Sequence, residues 1–125
     1  MKTLDTTIAV DHLRGRAEAT ELIARIIESE GRIFASEIVR FEVHAGMRAA
    51  EHKAVADLAS AITWIPIEQQ ISTAAGDLAR GYRGSHSGID DADYLIAATA
   101  LVLQADLLTT TVRHFPMFDG LRAPY

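Results

Sequence analysis

A chain of 125 residues, 49% hydrophobic and 23% charged, has enough apolar content for one core and is neither fibrous nor disordered in composition. The absence of cysteine excludes disulfides and thiolate metal sites, and a formal net charge of −5 confines any nucleic-acid contact to local basic patches. The opening MKTLDTTIAV lacks the apolar core of a secretory leader, and no stretch approaches the ~18 apolar residues of a membrane span, so a soluble cytoplasmic protein is expected.

Met1–Leu4 reads as a first strand ending at Asp5, followed by a helix through Leu13 that stops at Gly15. Leu22, Ile23, Ile26 and Ile27 form an apolar stripe at helical spacing, closed by Gly31. Arg32–Ala35 is the second expected strand, after which Ser36 is suited to cap a helix reaching Gly46. A helix over Glu51–Ile62 turns Val55, Leu58, Ala59 and Ile62 inward, and a strand at Thr63–Ile65 is ended by Pro66. Ile71, Ala74, Ala75, Leu78, Ala79 and Tyr82 give the cleanest helical stripe, and a helix carrying Asp93 and a short strand, Leu107–Thr109, complete the order. Strands alternating with longer helices imply an α/β fold: one domain over residues 1–125, its central, mainly parallel sheet flanked by helices on both faces. Ligands of such sheets sit beyond the carboxyl ends of the strands, where Asp5 and Thr109–Thr111 fall.

Three acids stand out. Glu42 aligns with Ile38, Phe41 and Ala45 on the face expected to meet the core, whereas Glu37, Arg40, His44 and Arg48 form a solvated face. A carboxylate there is either paired, bound to a cation, or at the margin of the apolar face reaching water. Asp5 at a strand-to-helix turn suits a helix cap as well as a ligand, and Asp93 three residues after Asp90 suits the positive end of a helix. The helix dipole gives each acid only about 0.3–1 kcal/mol, too little to explain the three aspartates of GIDDADYLIAATA. Two such charges about 4 Å apart repel by about 4 kcal/mol at an effective dielectric of 20. Converging Asp5, Glu42 and Asp93 would therefore suit a hard cation, Mg²⁺ or Mn²⁺, able to activate water. The histidines show no HExxH spacing, and neither a glycine-rich phosphate loop nor a GxSxG elbow is present. Basic clusters flank the acidic stretch: Arg80, Arg83 and His86 before it, Arg113 and His114 after it.

LDTTIAVDHLRG, ASEIVRFEVHAG, GIDDADYLIAATAL and LLTTTVRHFPMF together resemble, nearly end to end, the PIN-domain family and within it the VapC toxins of toxin–antitoxin pairs. The resemblance implies a metal-dependent endoribonuclease in which Asp5, Glu42 and Asp93 hold Mg²⁺ or Mn²⁺. It also implies an RNA substrate such as transfer or ribosomal RNA, a homodimer, and a VapB-type antitoxin that blocks the site. Arg80, Arg83 and Arg113 are the candidate RNA contacts. The chain departs from the family at Thr111, where a fourth acid or an asparagine is usual. A neutral hydroxyl holds a second cation less firmly, which leaves a one-metal site open and makes Asp90, Asp91 and Thr7, with Thr111 itself, the candidate auxiliary groups.

Two alternatives stand beside this reading. One is a PIN-like module that binds RNA or protein without cutting, for which Thr111 is the argument. The other is a small phosphatase with Asp5 as nucleophile, opposed by Thr7 in the place of that motif's second aspartate.

Overall fold

In the computed structural model, which describes residues 1–125, four short strands lie parallel in the order β3 (Ile62–Ile65), β2 (Ile33–Ser36), β1 (Lys2–Leu4), β4 (Asp106–Leu108). Their register pairs Leu4 with Ala35 and with Leu108, and Phe34 with Thr63. Six helices connect and cover them: α1 (Thr6–Leu13), α2 (Ala17–Glu30), α3 (Glu37–Gly46), α4 (His52–Ala61), α5 (Gln69–Tyr82) and α6 (Asp91–Leu103). Successive strand residues point to opposite faces, and both members of Thr3–Leu4 and of Ala35–Ser36 are buried, so both faces of the central strands are covered. No helix is long and apolar enough to cross a membrane.

The main core gathers Leu4, Ile8, Leu22, Ile23, Ile26, Ile33, Val39, Val55, Leu58, Ile96 and Phe115 around the sheet. A second cluster, built on Ile71, Ala75, Ala79, Tyr94 and Ala98, joins α5 to α6. Helix α6 is nearly apolar all round, and its Ala97, Ala98 and Ala100 are fully buried, so its backbone sits close to its neighbours. The expected caps at Asp5, Ser36 and Gly31 hold. Asp5 and Ser36 accept hydrogen bonds from Thr6 N and Ile38 N, and Gly31 closes α2 in the left-handed conformation at φ 81°.

The expected core face of α3 is turned. Val39 and Val43, one turn apart, meet the core, while Ala45 is exposed and Phe41 keeps 66% of its surface in solvent. At 100° per residue Phe41 lies opposite these valines, and Glu42 lies roughly 80° from the middle of their face, at its margin. The acid is thus half-buried at a border, not set in the apolar face. Ile62 is also reassigned: it is extended and opens β3, because the β-branched run Ile62–Thr63 favours a strand and α4 ends at Ala61. A 3₁₀ turn, Ala49–Glu51, precedes α4. Its buried Glu51 takes both bonds of the Arg14 guanidinium, at 2.7 and 3.0 Å, and the Arg48 N–H at 2.8 Å, tying the end of α1 to the start of α4.

Tyr94 is 1% exposed, and its hydroxyl has no hydrogen-bond partner. An unpaired buried hydroxyl costs about 1–3 kcal/mol, so Tyr94→Phe should keep or raise the unfolding midpoint in urea, whereas Tyr94→Ala should lower stability by about 3–5 kcal/mol.

Candidate active site

Beyond the carboxyl ends of β1 and β4 lies an open pocket of about 380 Å³, lined by Asp5, Thr6, Thr7, Val10, Asp11, Glu42, Asp90, Asp93, Thr110, Thr111 and His114. Each acid reaches it from a different element: Asp5 from the β1–α1 junction, Glu42 from α3, Asp90 and Asp93 from the mouth of α6. The expected convergence of Asp5, Glu42 and Asp93 is therefore present, with Asp90, Thr7 and Thr111 beside them.

Asp5 is the deepest, at 3% exposure. Its Oδ1 accepts the Thr6 N–H at 2.8 Å, and its Oδ2 accepts the hydroxyls of Thr7 at 3.0 Å and Thr109 at 2.6 Å. The direction of those hydroxyl bonds is fixed from behind. Thr7 Oγ1 accepts the Thr110 N–H at 3.3 Å, and Thr109 Oγ1 accepts the Thr111 N–H at 2.9 Å, so each hydroxyl proton is left for Asp5. Burial nonetheless pushes the Asp5 carboxyl above its ordinary range, against the pull of these donors and of His114. Glu42 Oε1 accepts the Thr6 hydroxyl at 2.6 Å. Its titration is also raised, first by burial and then by repulsion from Asp90 and Asp5.

Asp93 serves α6 and the pocket together. Asp90 Oδ1 accepts the Asp93 N–H at 2.9 Å, and Asp93 Oδ2 accepts the Asp90 N–H at 3.1 Å, the reciprocal bonds of a capping box. The same Oδ2 stands 3.2 Å from His114 Nδ1. Burial, with the nearby charges of Asp90 and Asp5, lifts the Asp93 carboxyl to about 7.

Three residues raised together, with one histidine as the nearest basic group, describe a pocket short of positive charge. Its donors are carboxylate and hydroxyl oxygens, the set that suits a hard divalent cation. No three of the acidic and histidine side chains are close enough set to ligate one ion as they stand. Mg²⁺ keeps several of its waters and needs only one or two direct carboxylates, so the donor chemistry fits such an ion while the side chains hold apart.

Other expected residues lie elsewhere. Asp91 does not join the pocket, because the Arg83 guanidinium on the C-cap of α5 draws it away in an ion pair. Arg83 and Arg80 line a separate groove between α5 and α6 with Ala75, Ala79 and Tyr94, and Arg80 also pairs with Asp77 at 2.8 Å. Arg113 is exposed. The sequence places Thr109–Thr111 at the ligand end of the sheet and His114 in a basic cluster, but nothing in it pairs Thr6 with Glu42, Thr109 with Asp5 or His114 with Asp93. The threonine runs at 6–7 and 109–111 were the available signal, but which of them supports an acid depends on strand register.

A PIN domain model matches residues 2–118. The chain belongs to the PIN-domain family. It is 57% identical to Ribonuclease VapC19 of Mycobacterium tuberculosis over 125 residues, covering the whole of both chains. It is 38% identical to Ribonuclease VapC10 of the same organism, over 100% of this chain and 93% of that one. Among solved structures, a toxin–antitoxin complex from Klebsiella pneumoniae contains a chain that matches at 26% identity and a TM-score of 0.79, covering 100% of this chain and 98% of that one. Members of this nuclease family generally depend on divalent metal, in keeping with the oxygen donors of the pocket.

The raised carboxyls have a thermodynamic consequence. A carboxyl whose folded pKa exceeds its unfolded value binds protons preferentially in the native state, so its stabilising effect is full below the unfolded value and lost as pH rises through the folded one. In EDTA, the melting temperature should fall by several degrees between about pH 4 and pH 7, the window set by Asp93. Thermal melts across that range should show a shallower slope for Asp93→Asn, and Mn²⁺ should restore the wild-type midpoint most at the upper end.

Proposed function

We propose that the chain is the endoribonuclease toxin of a toxin–antitoxin pair, hydrolysing RNA phosphodiesters at the pocket that gathers Asp5, Glu42 and Asp93. The observation that carries this is the convergence of three acids from three elements at the strand ends, all held above their ordinary titration range. The identity to two proteins named ribonucleases supports the choice of RNA.

Asp5, Glu42 and Asp93 would hold the cation, Mg²⁺ or Mn²⁺, which supplies a water of lowered pKa and neutralises charge on the phosphodiester. The protein's part is orientation. Thr7 and Thr109 fix Asp5, Thr6 fixes Glu42, and the capping box and His114 fix Asp93. Hydrolysis joins the water oxygen to phosphorus and breaks one P–O bond to ribose; a pocket carboxylate takes the water's proton, and the departing ribose oxygen takes one from solvent to leave as a hydroxyl. Thr111 contributes a neutral hydroxyl at the rim, which favours a single tightly held cation, with Asp90 the nearest auxiliary acid. Arg80, Arg83 and Arg113 are proposed to meet RNA phosphates outside the pocket, the first two along the α5–α6 groove. A VapB-type antitoxin is the proposed partner and a homodimer the proposed assembly, in the cytoplasm. An aspartyl-phosphate route through Asp5 is disfavoured, because two hydroxyl protons already occupy Oδ2 of a carboxylate that is 3% exposed.

The test is incubation of antitoxin-free protein with total RNA in Mg²⁺ or Mn²⁺, beside EDTA and Asp93→Asn. Discrete fragments should appear with wild type alone, with the variant slower by at least about 100-fold. Intact RNA with the wild type, or equal cutting by the variant, removes the assignment; binding without cutting would favour the non-cutting module.

A further inference from the structure

Asp11 lines the acidic pocket, yet its carboxylate is engaged from outside it. It lies one helical turn beyond Thr7 on α1, and its side chain keeps 28% of its surface exposed. Its Oδ2 accepts the hydroxyl of Tyr125 at 2.7 Å, from 114 residues away in sequence. The Arg16 guanidinium approaches the same oxygen at 3.8 Å and lies 4.8 Å from the centre of the Tyr125 ring, which it covers. Tyr125 and Leu121 pack on the main core, anchoring the irregular segment after Phe118, so the tyrosine is held where its hydroxyl meets Asp11. Burial and the bond to Asp11 push the Tyr125 phenol well above its ordinary range, keeping it a donor.

The pocket already presents Asp5, Glu42, Asp90 and Asp93 to any ligand. A fifth carboxylate turned inward would repel a substrate phosphate and compete for the cation. Bonded to Tyr125 and facing Arg16, the Asp11 charge is partly neutralised and directed to the outer wall. We infer that Tyr125 is a positioning residue that, with Arg16, holds the Asp11 carboxylate out of the path of the RNA phosphate. This rests on the pocket's receiving an RNA phosphodiester, as proposed above.

The test is RNA binding, read apart from catalysis. Anisotropy of a short fluorescein-labelled RNA, in EDTA at fixed salt, would compare wild type, Tyr125→Phe, Asp11→Asn and the double variant, with thermal melts of each. Tyr125→Phe should weaken binding roughly 3- to 10-fold, the scale of one ordinary net hydrogen bond. The double variant should bind like Asp11→Asn, at least as tightly as wild type, because no charge is then left to restrain. Arg16→Gln, a surface change, should weaken binding in the same direction even where Tyr125→Phe lowers the melting temperature.

Equal affinity of wild type, Tyr125→Phe and Arg16→Gln overturns the inference, including the case in which none binds measurably. A double variant as weak as Tyr125→Phe overturns it as well, since the tail would then act through packing. RNA cleavage in Mn²⁺ separates the two proposals. The expected binding pattern without cleavage counts against the nuclease reading alone, whereas cleavage without the binding pattern sinks only the role of Tyr125.

Discussion

A carboxylate buried at the end of the central strand sets the conditions for much of this molecule. Asp5 at 3% exposure is costly unless donors surround it, and the donors come from two directions: Thr6 N and Thr7 Oγ1 at the start of α1, Thr109 Oγ1 just past β4. The Asp5 N–H extends the same junction by bonding Leu108 O at 2.8 Å. Strand register, helix entry and the turn after β4 are thereby coupled, because a slip of one residue would take the Thr109 hydroxyl from its acid. A charged hydrogen bond is worth about 1.5–3 kcal/mol, so the support of Asp5 is also a support of the sheet.

Around this buried charge the protein accepts strain of an electrostatic kind. Burial raises the titration of Asp5, Glu42 and Asp93, and the charges of Asp90 and Asp5 raise Glu42 and Asp93 further. The bonds from Thr109, Thr7 and Thr6, with His114, relieve Asp5 only in part. Elsewhere acids are treated differently. Glu51, also buried, receives one guanidinium nitrogen of Arg14 on both its oxygens and a backbone N–H, and Asp91 receives Arg83. Paired acids hold elements together; underpaired ones, grouped at the strand ends, leave a charge deficit that a ligand can fill. The contrast separates structural from functional carboxylates more sharply than their sequence positions do.

The alternation of elements was legible because β-branched and apolar runs, capping serine and aspartate, and the glycine stop at Gly31 are local signals. The three principal acids were legible for a related reason: each interrupts a local pattern. What escaped was rotational or long-range. The phase of α3 depends on which face meets α1, α4 and α6, and a short amphipathic stretch with Ile38, Val39, Phe41 and Val43 admits more than one answer. Thr109 was seen as the end of a strand, but its hydroxyl acquires meaning only when β4 lies beside β1. Asp91 and Asp93 look alike in sequence; the neighbouring Arg83 separates them. The pairing of Asp11 with Tyr125 spans nearly the whole chain and has no local trace.

Strand order has a further consequence, for the timing of assembly. Strand β1 is made before both of its neighbours, yet one of them consists of residues 106–108, and the hydroxyl that steadies Asp5 follows at 109. During synthesis, β1 can lie against β2 early but cannot acquire its second edge until most of the chain has emerged. Asp93 likewise waits for His114, and Asp11 for Tyr125. A nascent chain thus carries its acidic residues long before it carries a pocket, because the groups that steady them lie at residues 109, 114 and 125.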